Sequence, residues 1–109
     1  MSDYGIEMVA LRLRLLGHPT RIKLLRRLDQ EDASVVALAR SVGCDPGTAG
    51  SHLTVLYRAG IVARVGQNGP AVYRLADWPS WWLVDQLAHG LATNARDFRH
   101  ALEVDSCDR

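Results

Sequence analysis

Apolar side chains recur every three or four positions through the first sixty residues, then switch to every second position. Residues 4–16 set Ile6, Val9, Ala10, Leu13 and Leu16 at helical spacing, closed by Gly17. Pro19 opens a second helix at its first position, where a missing N–H costs nothing. Ile22, Leu24, Leu25 and Leu28 give that helix an apolar face, and the acidic turn Asp29–Asp32 stops it. Ser34 is placed to cap a short third helix that carries Val36, Leu38 and Ala39 and ends at Gly43. Asp45 followed by Pro46 marks the start of a fourth helix over 46–59, and Gly60 supplies its left-handed stop.

The period-two segment covers about 61–76. Ile61, Ala63 and Val65 alternate with Val62 and Arg64; after Asn68-Gly69, Ala71, Tyr73 and Leu75 alternate with Val72 and Arg74. Asn-Gly between alternating runs signals a hairpin, and Arg64 and Arg74 are expected to share its outward phase. A long helix over 78–104 follows, with Val84, Leu87, Leu91, Asn94, Phe98 and Leu102 near one stripe. Helix, helix, helix-turn-helix, hairpin, helix is the order of a winged helix-turn-helix. The expected fold is therefore mostly α with a β-hairpin wing, one domain over 1–109.

Composition narrows the function. With 48% apolar and 23% charged residues in 109, the chain folds as one ordinary soluble domain. A core that small leaves a monomer marginal, so a homodimer paired through its terminal helices is expected. No apolar run approaches the roughly 20 residues of a membrane span. No secretory leader is visible, so the expected location is cytoplasmic. Two distant cysteines, Cys44 and Cys107, make no disulfide framework. Residues 11–75 carry ten basic and four acidic side chains, a net of +6, whereas 76–109 carry three and six, a net of −3. A basic front suits a polyanionic partner, double-stranded DNA.

In this architecture the helix over 46–59 enters the major groove by its N-terminal part, putting Gly47, Thr48, Gly50 and Ser51 against base edges. They are too small for long bidentate readout, which shifts specificity toward backbone approach, hydroxyl contacts and DNA shape. Arg40, Arg58, Arg64 and Arg74 are the expected phosphate contacts, and Gln67 and Asn68 at the hairpin tip are aimed at the minor groove. His18 and His52 are read as structural hydrogen-bonding residues rather than ligands of DNA or effector. Trp81 and Trp82 are expected to pack under the hairpin and against the dimer helix, with a ligand pocket as the alternative.

The runs Leu16-Gly17-His18-Pro19-Thr20-Arg21, Thr48 to Leu56, Gly60-Ile61-Val62 and Val72-Tyr73-Arg74-Leu75 together resemble the ArsR/SmtB regulators across nearly the whole chain. His18, Ala49-Gly50 and Pro70 depart from that family's pattern and bear on the operator rather than the fold. The resemblance implies a transcriptional regulator, usually a repressor, on an inverted-repeat operator, and not an enzyme. Many members sense metal through a thiol pair in the third helix; the matching Ser34-Val35-Val36 has none. A second family site on the last helix reads D-x-H, ten residues, then H-x-x-E. His89, His100 and Glu103 reproduce it, with the acid at Asp85.

On a continuous helix these four lie within about 60° of one another, on one face. His89 and His100 are about 16 Å apart along that axis, too far for one ion whose bonds are about 2 Å. Two antiparallel copies remove the problem: both pairings, Asp85 with Glu103 and His89 with His100, centre near Asn94. Each site then takes Asp85 and His89 from one chain and His100 and Glu103 from the other. The donor set suits divalent zinc, nickel or cobalt as the effector. The alternatives are a regulator answering a non-metal signal or a partner protein, a thiol switch at Cys44, and a small metal-dependent hydrolase. For the last, no nucleophile or oxyanion donors are identifiable.

Overall fold

The computed structural model describes residues 1–66 and 69–93, and each of its first four helices begins where a side chain accepts from one of the free N–H groups. Helix α1 (Asp3–Leu16) is capped by Ser2, whose Oγ accepts from the Gly5 N–H at 3.0 Å. Helix α2 (Pro19–Gln30) is capped by His18, whose Nδ1 accepts from the Thr20 N–H at 3.2 Å. A two-residue strand, β1 (Ala33–Ser34), leads into α3 (Val35–Val42), where the Ser34 hydroxyl accepts from the Ala37 N–H. Gly43, at φ +76°, ends α3; it and Cys44 both donate to the Ala39 carbonyl. Asp45 caps α4 (Pro46–Arg58), and strands β2 (Val62–Val65) and β3 (Val72–Leu75) form the wing. Helix α5 (Trp78–Thr93) closes the described part.

The chain divides into two compact units, residues 1–78 and residues from 79 onward. In the first, α2, α3 and α4 pack on one another and on the wing. Leu24, Leu25, Leu38, Leu53, Leu56 and Ile61 are wholly buried. Ile61 also closes the base of the wing, its carbonyl accepting from the Ala76 and Asp77 N–H groups. Helix α1 behaves differently. It buries only Leu16, while Tyr4, Ile6, Val9 and Leu13 stay exposed.

The sheet has three strands in the order β1-β3-β2, all antiparallel. Strand β1 carries no pattern that two residues could show. The wing register pairs Arg64 with Tyr73 and Ala63 with Arg74. This corrects the expectation that the two arginines share a phase. Opposed residues in an antiparallel pair point to the same face, and here every odd-numbered residue opposes an even-numbered one. Arg64 and Arg74, both even, therefore lie on opposite faces. Six residues separate β2 from β3, and that spacing, invisible to alternation within either strand, sets the parity.

In the second unit α5 is described as far as Thr93. Trp81 is its buried residue, whereas Trp82 is 63% exposed, so the tandem pair splits. Leu87 and Leu91 are also exposed.

Candidate nucleic-acid interface

Helices α3 and α4 and the wing carry the residues expected to meet DNA. Asp45 fixes the start of α4 twice: Oδ1 accepts from the Thr48 N–H at 2.9 Å and Oδ2 from the Thr48 hydroxyl at 3.1 Å. Those bonds, from the Thr48 side chain and then its backbone, hold the Asp45 carboxyl below its ordinary value. Gly47, Thr48 and Ser51 are exposed, Gly50 is half-buried and Ala49 is buried. The expected reading residues thus sit at the helix surface while Ala49, Leu53 and Leu56 anchor the opposite face.

The hydroxyls of this face already donate internally. Thr48 gives its proton to Asp45, Ser51 to the Gly47 carbonyl at 3.1 Å, and Thr54 to the Gly50 carbonyl at 2.9 Å. Each of these acceptors is unable to donate, so the hydroxyls turn lone pairs outward. Lone pairs match the amino groups of adenine and cytosine in the major groove. Neither Gly47 nor Gly50 is required by the fold: a Cβ at Gly50 would meet Val35 Cγ1 at 4.0 Å, an ordinary contact.

Helix α4 is held against α2 by His52. Arg21 Nε donates to His52 Nδ1 at 3.1 Å, Arg21 Nη1 donates to the Leu15 carbonyl, and the His18 and His52 rings lie 4.4 Å apart. Burial, then the charges of His18 and Arg21, hold the His52 imidazole below its usual value. Both histidines therefore serve the structural roles expected of them. In the sequence Arg21 stands only as the end of the Leu16–Arg21 run, with no role of its own.

The remaining basic residues spread over the unit. Arg40 is exposed in the last turn of α3. Arg58 is exposed at the end of α4 and lines a cleft of about 230 Å³ with Met8, Leu11 and Leu15 of α1. Arg64 lies 5.6 Å from the Tyr57 ring centre and 5.9 Å from that of Tyr73. Arg74, on the other face, shares a groove of about 490 Å³ with Asp29, Glu31, Asp32 and Trp78. Gln67 and Asn68 lie outside the described residues.

Of the expected metal ligands, Asp85 and His89 sit one turn apart on α5, and His100 and Glu103 lie outside the described residues. His89 Nδ1 is 2.8 Å from the Asp85 carbonyl and 3.6 Å from Asp85 Oδ2. Among the described residues no cluster of three His, Cys, Asp or Glu side chains forms a metal site, and no helix is long and apolar enough to cross a membrane.

Known proteins share this arrangement. Residues 16–65 match the helix-turn-helix domain family. The uncharacterized HTH-type transcriptional regulator Rv0081 of Mycobacterium tuberculosis is 38% identical over 76 residues, 69% of this chain and 67% of that protein. Its crystal structure matches at a TM-score of 0.76 and 30% identity, covering 88% of this chain and 97% of that one. The transcriptional repressor BigR from Xylella fastidiosa matches at 0.69 and 28%, covering 84% and 91%. The homodimeric winged helix-turn-helix domain of Mb0332 from Mycobacterium bovis, described as possibly of the ArsR family, shares the fold at 0.72 and 24%, covering 87% and 93%. The chain thus belongs to the helix-turn-helix transcriptional regulators, and its three-stranded wing gives it the winged form of that fold.

Proposed function

We propose that the chain is a homodimeric cytoplasmic repressor of an inverted-repeat operator, and that a divalent nickel, zinc or cobalt ion shared between subunits regulates it. The observation that carries this reading is the apolar surface left bare on the terminal helices: Ile6, Val9 and Leu13 on α1, and Trp82, Leu87 and Leu91 on α5, are all exposed within one chain. A small soluble protein does not leave such surface to water, and a two-fold copy covers it. Mb0332 is described as homodimeric and BigR as a repressor; this chain is read the same way.

The sensing half rests on the posture of His89. A carbonyl only accepts, so the bond to the Asp85 carbonyl takes a proton on Nδ1, and in the neutral ring it is then Nε2 that offers a lone pair. A backbone-oriented imidazole with a free Nε2 is what a metal ligand needs. Asp85 and His89 from one subunit, with His100 and Glu103 of the other, would hold the ion, which when bound supplies a cross-link between the two C-terminal helices. The competing reading is the same regulator answering another signal or a partner protein.

Mixed dimers separate the two. His89→Ala and His100→Ala homodimers should each damage both sites. A purified heterodimer of the two puts both lesions in one site, and a nickel, zinc or cobalt titration should recover one near-native site per dimer. Recovery of none, or wild-type dimers that take up no metal, leaves the other-signal reading standing.

A further inference from the structure

We propose that Tyr57 and Tyr73 are positioning residues that hold the Arg64 guanidinium between the recognition helix and the wing as a preset phosphate clamp. The proposal rests on the reading that α4 and the wing meet DNA. Register puts Arg64 on β2 directly opposite Tyr73 on β3. Tyr57, in the last turn of α4, brings a second ring to the same guanidinium, with centres at 5.6 Å and 5.9 Å. Tyr73 is buried and therefore fixed, while Tyr57 is 44% exposed at the protein surface.

At this range the rings attract the guanidinium through its charge, a contact that takes up no hydrogen-bond acceptor. No hydrogen bond or ion pair among the described residues engages the N–H donors of Arg64, although Arg12, Arg21 and Arg27 are each tied to carbonyls or side chains. The Arg64 guanidinium is thus drawn to the two rings before DNA arrives, with its donors unused by any bond among the described residues. Its place suits a phosphate. Thr48 and Tyr57 are nine residues apart, about 14 Å along α4, and the major groove is about 12 Å wide. With Thr48 over base edges, the clamp falls at the strand flanking the groove. Because Tyr57 belongs to the helix and Arg64 to the wing, a gripped phosphate locks the two elements in one register.

The test measures affinity of the full chain for a random-sequence duplex across a salt series. Arg64→Ala should lower the slope of log affinity against log salt by about 1 per protomer. Tyr57→Leu should weaken binding by about two- to five-fold per protomer, the size of an exposed cation–π contact, with the slope kept. Tyr57→Phe, which keeps the ring, should behave as wild type. In the Arg64→Ala background Tyr57→Leu should have no further effect. A Tyr57→Leu penalty that persists there would mean that the ring acts on DNA or on the fold by itself, and the clamp is wrong. An unchanged salt slope in Arg64→Ala would instead remove the phosphate contact on which the proposal stands, and a Tyr57→Leu protein of wild-type affinity would overturn the positioning role directly.

Discussion

Helices α1 and α2 are neighbours of similar length and both carry apolar residues at helical spacing, yet their fates diverge. Helix α2 buries Leu24, Leu25 and Leu28, whereas α1 buries Leu16 alone. The same periodicity has two meanings. It states that a face must leave water, but not whether the cover comes from the same chain. The recognition module covers its faces internally, and the first helix offers its face outward.

Substitution should show the difference at its largest. Leu53, wholly buried, anchors the recognition helix, and Leu53→Ala should cost about 2–5 kcal/mol in urea denaturation, enough to threaten a small domain. Leu13→Asp on α1 should keep the helical circular dichroism and instead move the sedimenting species from dimer to monomer. If Leu13→Asp unfolds the chain and Leu53→Ala does not, the division between internal and external faces is misplaced.

A smaller effect probes the outward face of α4. Gly50→Ala should stabilise the protein by about 0.5–1 kcal/mol, because glycine inside a helix is less favourable than alanine and Val35 leaves room. The same change should weaken operator binding, since the added methyl stands where backbone approaches base edges. A variant that gains stability and also binds as well as wild type would show that Gly50 is not at the interface.

The smallest effect is one of pH. His52 is held below its usual value, so the unfolded chain binds a proton more readily than the folded one. Its contribution is full above the ordinary imidazole value of about 6.5 and is lost as pH falls through the depressed folded value. Asp45, also depressed, contributes above the usual carboxylate range and loses that contribution at still lower pH. Urea midpoints measured from pH 7.5 to 4.5 should therefore decline. His52→Gln, which keeps an acceptor for Arg21, should flatten the upper part of that decline. Midpoints that rise as pH falls would contradict the direction.

What the sequence disclosed follows from where the information lies. Ser34, Asp45, Gly43 and Gly60 mark helix ends by chemistry that acts within four residues, and each was legible. The two-residue β1 has no period to read and forms only because β3 lies beside it. The parity of the wing depends on how six connecting residues are accommodated, so the separation of Arg64 from Arg74 was hidden. The grip of Arg21 on His52 spans thirty-one positions, and local pattern holds no trace of it. The pairing of Tyr57 with Arg64 was equally silent, since each residue alone fits its own element.

Arg12 adds a mechanical consequence. Its Nη1 donates to the Ala59 carbonyl at 2.8 Å and lies 3.5 Å from Asp77 Oδ2. One guanidinium on the outward-facing first helix thus touches the tail of the DNA-reading helix and the root of the wing. In a dimer that pairs through α1, a tilt of that helix drags both contact points together, as a single crank turns two rods. The tilt of α1 is then linked, through one side chain, to the spacing between the end of α4 and the base of the wing.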